Sequence, residues 1–146
     1  IGAIRLIERH GISDPLDPLE LAEMERSIAE GSFPVIEVMN KHWVKTLVGG
    51  SGAFDSFKAI LNIQQIGPVA KFDPNTLLQT LENILGSSKT KRRSTPGLVE
   101  YRVDTIIPSA LMIKHFIKAG VSEIRWCGYA LKEGVMQEMA EEIAPA

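Results

Sequence analysis

Cysteine is nearly absent: Cys127 is the single one in 146 residues. An internal disulfide is therefore excluded, which fits a reducing compartment and predicts a cytoplasmic protein. No apolar run approaches the roughly 20 residues of a membrane span, and no signal-peptide pattern is visible, so no membrane partner is expected. An excess of positive charge is missing too: 16 Lys and Arg face 18 Asp and Glu, for a net charge of −2. No global basic field points to nucleic acid. What is present is the composition of a globular domain, 45% apolar and 23% charged, in a length that fits one domain with a real core. No internal repeat is found. The first residue is Ile1. IGAIRLIERHG reads as a strand already under way, so a piece of a longer protein, cut inside a sheet, is expected. Proteolytic processing would leave the same start.

The chain is organised around KTLVGGSGAFDSF, Lys45 to Phe57. Thr46, Leu47 and Val48 suit a buried strand. Gly49, Gly50, Ser51 and Gly52 follow, and then Ala53, Phe54, Phe57, Ile60 and Leu61 recur at helical spacing. A strand passing through glycines into a helix leaves a turn with little side-chain bulk. Its backbone N–H groups and the helix N-terminus can face an anion or a nucleotide. A tight turn without a ligand explains the same residues. It is not a Walker loop, because no Lys-Ser/Thr follows.

Ala3 to Ile7 alternates loosely and predicts a strand. Asp17 is an N-cap candidate, with Pro18 at the first helical position and Glu20 at the third. Leu19, Leu21, Ala22, Met24 and Ile28 mark a helix ending near Gly31. A second helix starts at Ser32 or Phe33, with Pro34 in its first turn and Val35, Val38, Met39 and Trp43 on its apolar face. The helix after the glycine turn runs from Ala53 to about Gln65, where Gly67-Pro68 breaks it. Val69 to Phe72 is a short strand candidate. Asp73-Pro74 opens a helix whose stripe of Leu77, Leu78, Leu81, Ile84 and Leu85 is core.

Lys89, Lys91, Arg92 and Arg93 form the one charge anomaly. A solvated loop or helix start and a polyanion-binding edge both account for it. Thr105 to Gly120 is a helix apolar on most sides, expected between other elements. Ser122 to Cys127 is a strand, and Leu131 to Ile143 is a terminal helix in which Gly134 points to close packing. Short strands separated by helices predict an α/β domain with helices on a mostly parallel sheet.

Several separated stretches together resemble the exopolyphosphatase / guanosine pentaphosphate phosphohydrolase (Ppx/GppA) family. GAIRLIERHGISDP is similar to the strand of the family's second domain that ends in its Arg-Leu, Glu and Asp-Pro pattern. VGGSGAFDSF is similar to that domain's Gly-Ser-Gly-Thr nucleotide-site turn. TPGLVEYRVDTIIPSALMI resembles the Pro-Gly-Leu, Arg-x-Asp-x-Ile and Gly-Ala-Leu signature, and CGYALKEGVM the closing Gly-Leu-Arg-Glu-Gly motif. The likeness covers nearly the whole chain, in family order.

The resemblance implies a ribonuclease H-like domain of the actin-like ATPase superfamily, with a mixed sheet flanked by helices. Residues 1–146 would be most of the second domain, with its N-terminal strands and the preceding domain missing. The family's two phosphate loops and its catalytic glutamate are not in this sequence, so the fragment is expected to be inactive alone. The parent would be a phosphoanhydride hydrolase releasing phosphate from polyphosphate or a guanosine alarmone. Its Mg²⁺ would have no ligand in this chain. Carried over by position, Gly49, Gly50, Ser51 and Gly52 match the turn beside the ligand cleft. Arg102 and Asp104 match Arg-x-Asp, with Arg102 holding substrate phosphate or fixing the cleft wall. Lys132, Glu133 and Gly134 match Arg-Glu-Gly. Ala53 stands where threonine is frequent, Ser109 where glycine is usual, and Lys132 where arginine is usual, which forfeits a bidentate phosphate fork. These departures keep open a non-catalytic alarmone-sensing or dimerisation module. A cut sheet also predicts self-association, with a homodimer as one outcome.

Overall fold

The computed structural model describes residues 1–50 and 52–143. Ser51, a predicted site residue, lies outside the described residues. Three short strands form the sheet, β1 (Thr46–Gly50), β2 (Val69–Phe72) and β3 (Glu123–Cys127). Their spatial order is β1-β3-β2. β1 runs parallel to β3, from Thr46 opposite Glu123 to Gly50 opposite Cys127. β2 runs antiparallel to β3, with Val69 opposite Cys127 and Phe72 opposite Ile124. The sheet is therefore mixed, and half of its pairing departs from the mostly parallel arrangement that alternating strands and helices suggested.

Seven helices surround it among the described residues: α1 (Ala3–His10), α2 (Pro18–Lys41), α3 (Ala53–Ile60), α4 (Pro74–Leu85), α5 (Lys89–Arg93), α6 (Ile106–Lys118) and α7 (Leu131–Ile143). Local chemistry sets several starts. Asp17 Oδ1 accepts from the Leu19 amide at 2.6 Å, with Pro18 next. Asp73 Oδ1 accepts from the Thr76 amide at 2.8 Å, again before a proline. Both are side-chain caps on otherwise unpaired amides. Glu20 does not close a capping box. It accepts from the Ser13 amide and hydroxyl at 2.8 and 2.7 Å and holds the preceding loop. These bonds, the hydroxyl first, lower its pKa.

α6 is the central element, touching α1, α2, α3 and α4. Ile106, Ile107, Ala110 and Ile113 join Phe57, Phe72, Leu77, Leu81 and Ile124 in the main core. Leu111 faces a second cluster with Leu6, Met24 and Ile28. Ser109 is buried in the first turn of α6, and its hydroxyl donates to the Thr105 carbonyl at 2.7 Å, so a polar side chain is accommodated there.

Four elements differ from the sequence reading. Ala3–Ile7 is helix α1, not a strand. Only Leu6 of α1 is buried, and it packs on Met24, Ile28 and Leu111, while Ile4 stays exposed. The apparent alternation was set by an exposed isoleucine. The two helices expected over 18–43 are one, with Pro34 inside. Met24, Ile28, Ser32 and Met39 are buried on either side of Gly31, so one packed stripe crosses the expected break. Ser32 Oγ also lies 2.8 Å from His115 Nε2 of α6, tying the junction down. Val35, Val38 and Trp43, read as apolar-face residues, are exposed. α3 stops at Ile60, well before Gln65, and Asn62 takes φ 48°, which ends the helical path. Gly134 has nothing within 4 Å of a built Cβ, and no described residue of α7 is buried, so no close packing explains that glycine.

Candidate functional site

The end of β1 and the start of α3 meet at the glycine turn, and its glycines differ in role. Gly49 is buried, and a Cβ there would stand 2.0 Å from the Phe54 ring. Phe54 in turn meets Phe72 edge-on at 6.1 Å. Gly49 therefore lets the first turn of α3 fold onto β1. A Cβ on Gly50 would come 2.9 Å from the Tyr129 carbonyl oxygen, so Gly50 lets β1 approach the turn before α7. Gly52 has φ 59° and ψ −114°, a conformation that L side chains avoid, and it occupies the N-cap of α3.

The Arg102 side chain comes to this turn from the other side. A Cβ built on Gly52 would lie 3.7 Å from both terminal guanidinium nitrogens of Arg102. Arg102 closes a 3-10 turn over Glu100–Arg102, and its guanidinium also lies 5.3 Å from the Tyr101 ring centroid. No ion pair engages Arg102 among the described residues. Arg102 and Thr105 line a depression of about 400 Å³ with residues 1–5, Arg5 among them.

Three helix N-termini border this region. α3 begins at Gly52, α6 follows Thr105, and α1 begins beside Gly2. None has a side-chain cap. The first turns of α1 and α6 carry no acidic residue, and the Asp55 carboxylate in α3 accepts from Trp126 Nε1 at 2.6 Å. At the start of α6 the Ile107 amide donates to the Asp104 carbonyl at 3.3 Å and Pro108 has no N–H, which leaves the Arg102 guanidinium and the uncapped first turn of α3 as groups whose chemistry suits an anion.

The basic run is the helix start that one alternative expected, α5 behind its Ser88 cap, with Lys91 and Arg93 exposed, but it is not wholly solvated. Arg92 is 1% exposed; its Nε donates to the Val103 carbonyl at 2.9 Å, and Nη1 donates to the Ser87 carbonyl. Burial lowers the Arg92 pKa, with Asp14 and Asp104 acting in the opposite direction. Lys89 Nζ donates to Asp104 at 2.7 Å, and Arg93 Nε to Glu100 at 2.8 Å. Three of the four cations clamp the segment that carries Arg102. Nothing in a run of like charges signals that most of its acceptors lie 7 to 15 residues downstream.

Lys132, in the first turn of α7, is exposed and pairs with Glu133 at 3.2 Å. Glu133 Oε2 accepts from the Ala130 amide at 2.8 Å, and this bond is the main cause of its lowered pKa. The structure thus brings Gly52 to Arg102, and Gly50 to the turn before Lys132, while the Lys132 ammonium is engaged locally. Arg5 and Thr105 are the lining residues that the sequence reading did not name as site residues. Arg5 was visible only as the arginine of the Arg-Leu pattern.

Among the described residues no group of three or more His, Cys, Asp or Glu side chains could hold a metal ion. These residues do not fit a Mg²⁺ site.

The sequence model of the Ppx/GppA phosphatase family matches residues 1–143. The chain belongs to that family. An exopolyphosphatase from Cytophaga hutchinsonii superposes with a TM-score of 0.84 at 25% identity, over 99% of this chain and 49% of the other. The Aquifex aeolicus Ppx/GppA family member superposes at 0.71 and 18% identity, over 99% and 48%. No curated protein matches. The chain spans about half the length of these solved Ppx/GppA structures, and its fold is that of their actin-like domain, an α/β unit with a mixed sheet flanked by helices. Among the described residues no helix is long and apolar enough to cross a membrane.

Proposed function

We propose that this Ppx/GppA chain is the substrate-contacting second domain of a phosphoanhydride hydrolase. It acts with a preceding domain on inorganic polyphosphate or guanosine pentaphosphate, in the cytoplasm. The observation that carries the reading is the Arg102 guanidinium set over Gly52 at the uncapped start of α3. A guanidinium and a row of backbone N–H groups offer charge-assisted donors in the geometry that phosphate oxygens accept. Donors of this kind stabilise the charge that develops as a phosphoryl group is transferred. Gly50, Gly52 and Arg102 form the wall, with Ser51 between them in sequence. Lys132 joins them when an anion competes with Glu133. The attacking water's base and Mg²⁺ belong to the preceding domain, and the isolated chain binds phosphate but does not turn over.

The test is phosphate release by a protein joining this chain to that domain, with polyphosphate and guanosine pentaphosphate, with and without Mg²⁺. Metal-dependent release that falls at least tenfold in Arg102→Ala is expected. Release that is indifferent to Arg102, or metal-dependent turnover by the isolated chain, would overturn the assignment. A second reading is favoured by Ala53, which follows Gly52 in α3 without a hydroxyl. It is a sensor of the same phosphorylated ligands, and tight binding without any release identifies it.

A further inference from the structure

The last turn of α1 meets α2 through side chains that the Arg102 site does not use. Ser27 Oγ lies 2.8 Å from His10 Nε2, and Glu23 Oε2 lies 3.5 Å from His10 Nδ1. Glu23 and Ser27 are one turn apart on α2, so both face the same imidazole. That imidazole is 8% exposed, so packing holds it between them. A hydroxyl inside a helix commonly donates to the carbonyl one turn back, as Thr80 does to Thr76 and Ser109 to Thr105. The Ser27 hydroxyl is bonded to His10 instead.

The carboxylate beside Nδ1 favours the tautomer with its proton there, which leaves Nε2 to accept from the Ser27 hydroxyl. A nucleophile bonded to a base, with the base oriented by a third group, is the arrangement that activates a hydroxyl. Ser27 also lines an opening. A depression of about 350 Å³, adjoining the one at Arg102, is formed by Ser27 with Ile1, Leu6, Arg5, Arg9 and Glu30. Arg5 and Arg9 are exposed, and no ion pair engages either among the described residues. They are donors for a carbonyl oxygen that gains charge and for an anionic group on the same molecule.

We propose that Ser27 is a nucleophile with His10 as its general base, which gives this chain a second activity: hydrolysis of small acyl esters that carry an anionic group. Ser27 Oγ bonds to the acyl carbon while His10 Nε2 takes the hydroxyl proton. The bond from that carbon to the leaving oxygen breaks, its electron pair stays on the oxygen, and His10 passes the proton to it. Water then attacks the acyl-Ser27 ester in the same way and releases a carboxylic acid and the free hydroxyl. The two steps balance with water as the one co-reactant. Glu23 touches no reacting atom and is a positioning residue. None of this depends on Arg102 as a phosphate ligand.

Para-nitrophenyl acetate, para-nitrophenyl hemisuccinate and a fluorophosphonate probe test this on the 146-residue chain. The wild type should take up one fluorophosphonate group, located at Ser27 by peptide mass spectrometry, and should hydrolyse the hemisuccinate at a lower KM than the acetate. Ser27→Ala should lose the label and the ester hydrolysis. His10→Gln should slow acylation about a hundredfold, within the range of general-base catalysis. Glu23→Gln should lower kcat about tenfold at unchanged KM, a modest loss because its carboxyl is 41% exposed and 3.5 Å from the ring. Arg9→Gln should raise KM for the hemisuccinate and not for the acetate. The label is read on the wild type, so the result stands even where a variant fails to fold. A label on another residue, no label on the folded wild type, or a folded Ser27→Ala as fast as the wild type would overturn the nucleophile and leave the three side chains as a tie between α1 and α2.

Discussion

Gly49 and Glu123 show how much single side chains decide in a domain this size. A methyl group at Gly49 would enter the space of the Phe54 ring. Gly49→Ala should therefore lower stability by about 1–3 kcal/mol through overpacking, read as a shift in the urea midpoint. An unchanged midpoint would show that Phe54 is free to move away from β1. Glu123 collects donors: Arg125 Nε and Nη2, Lys71 Nζ and the Thr46 hydroxyl all reach its carboxylate. These partners, Arg125 first, then Lys71 and Thr46, hold its pKa at about 2, against an ordinary 4.5. A depressed carboxylate stabilises the fold above its unfolded-state pKa, and that stability is lost as pH falls through the folded value. Glu123→Gln should therefore melt below wild type at neutral pH. The two melting curves should converge between pH 4.5 and about 2. A gap that persists below pH 2 would mean that the charge is not its source.

Among the elements, the short helix α5 carries an unexpected duty. Its five residues include the buried Arg92 that holds the Val103 and Ser87 carbonyls. Arg92→Met preserves bulk but leaves both acceptors without that donor. A loss of about 3 kcal/mol is expected, since each buried group without a partner costs about 1–3 kcal/mol. The neighbouring 3-10 turn should loosen with it, so pyrophosphate affinity should fall although Arg92 lines no part of the site. Full affinity in a folded Arg92→Met variant would show that Arg102 is positioned by other contacts. This clamp was not legible in the sequence. Four cations in five residues announce charge but not acceptors, and the acceptors are backbone carbonyls, which every residue has. The helix starts at Asp17-Pro18 and Asp73-Pro74 were legible, because a cap and its proline act within one turn of chain.

At the scale of the molecule, the sheet has an open side. β1 is an edge strand with Val48 56% exposed, and α7 exposes Leu131, Met136, Met139 and Ile143. An edge strand with unpaired backbone groups beside apolar surface favours association. The chain alone should show a mass that rises with concentration in sedimentation velocity, and Val48→Lys should bring it towards the monomer. A monomer at all concentrations would show that these surfaces stay solvated without a partner.

The sequence by itself determined where the three strands lie, read as Thr46–Val48, Val69–Phe72 and Ser122–Cys127, the helices opened by capping aspartates, and the ordered motifs that assign the family. Each of these is encoded within a few residues, by period, cap or glycine. Only the tertiary structure decided that Ala3–His10 is helical and that one helix runs through Gly31 and Pro34. Both depend on burial against α6, which lies some hundred residues away in the chain. It likewise decided that Arg102 comes to Gly52 while Lys132 turns to Glu133. The convergence of a guanidinium, an uncapped helix start and a depression is a property of packing, because local pattern specifies which groups a chain carries but not which distant groups share a surface.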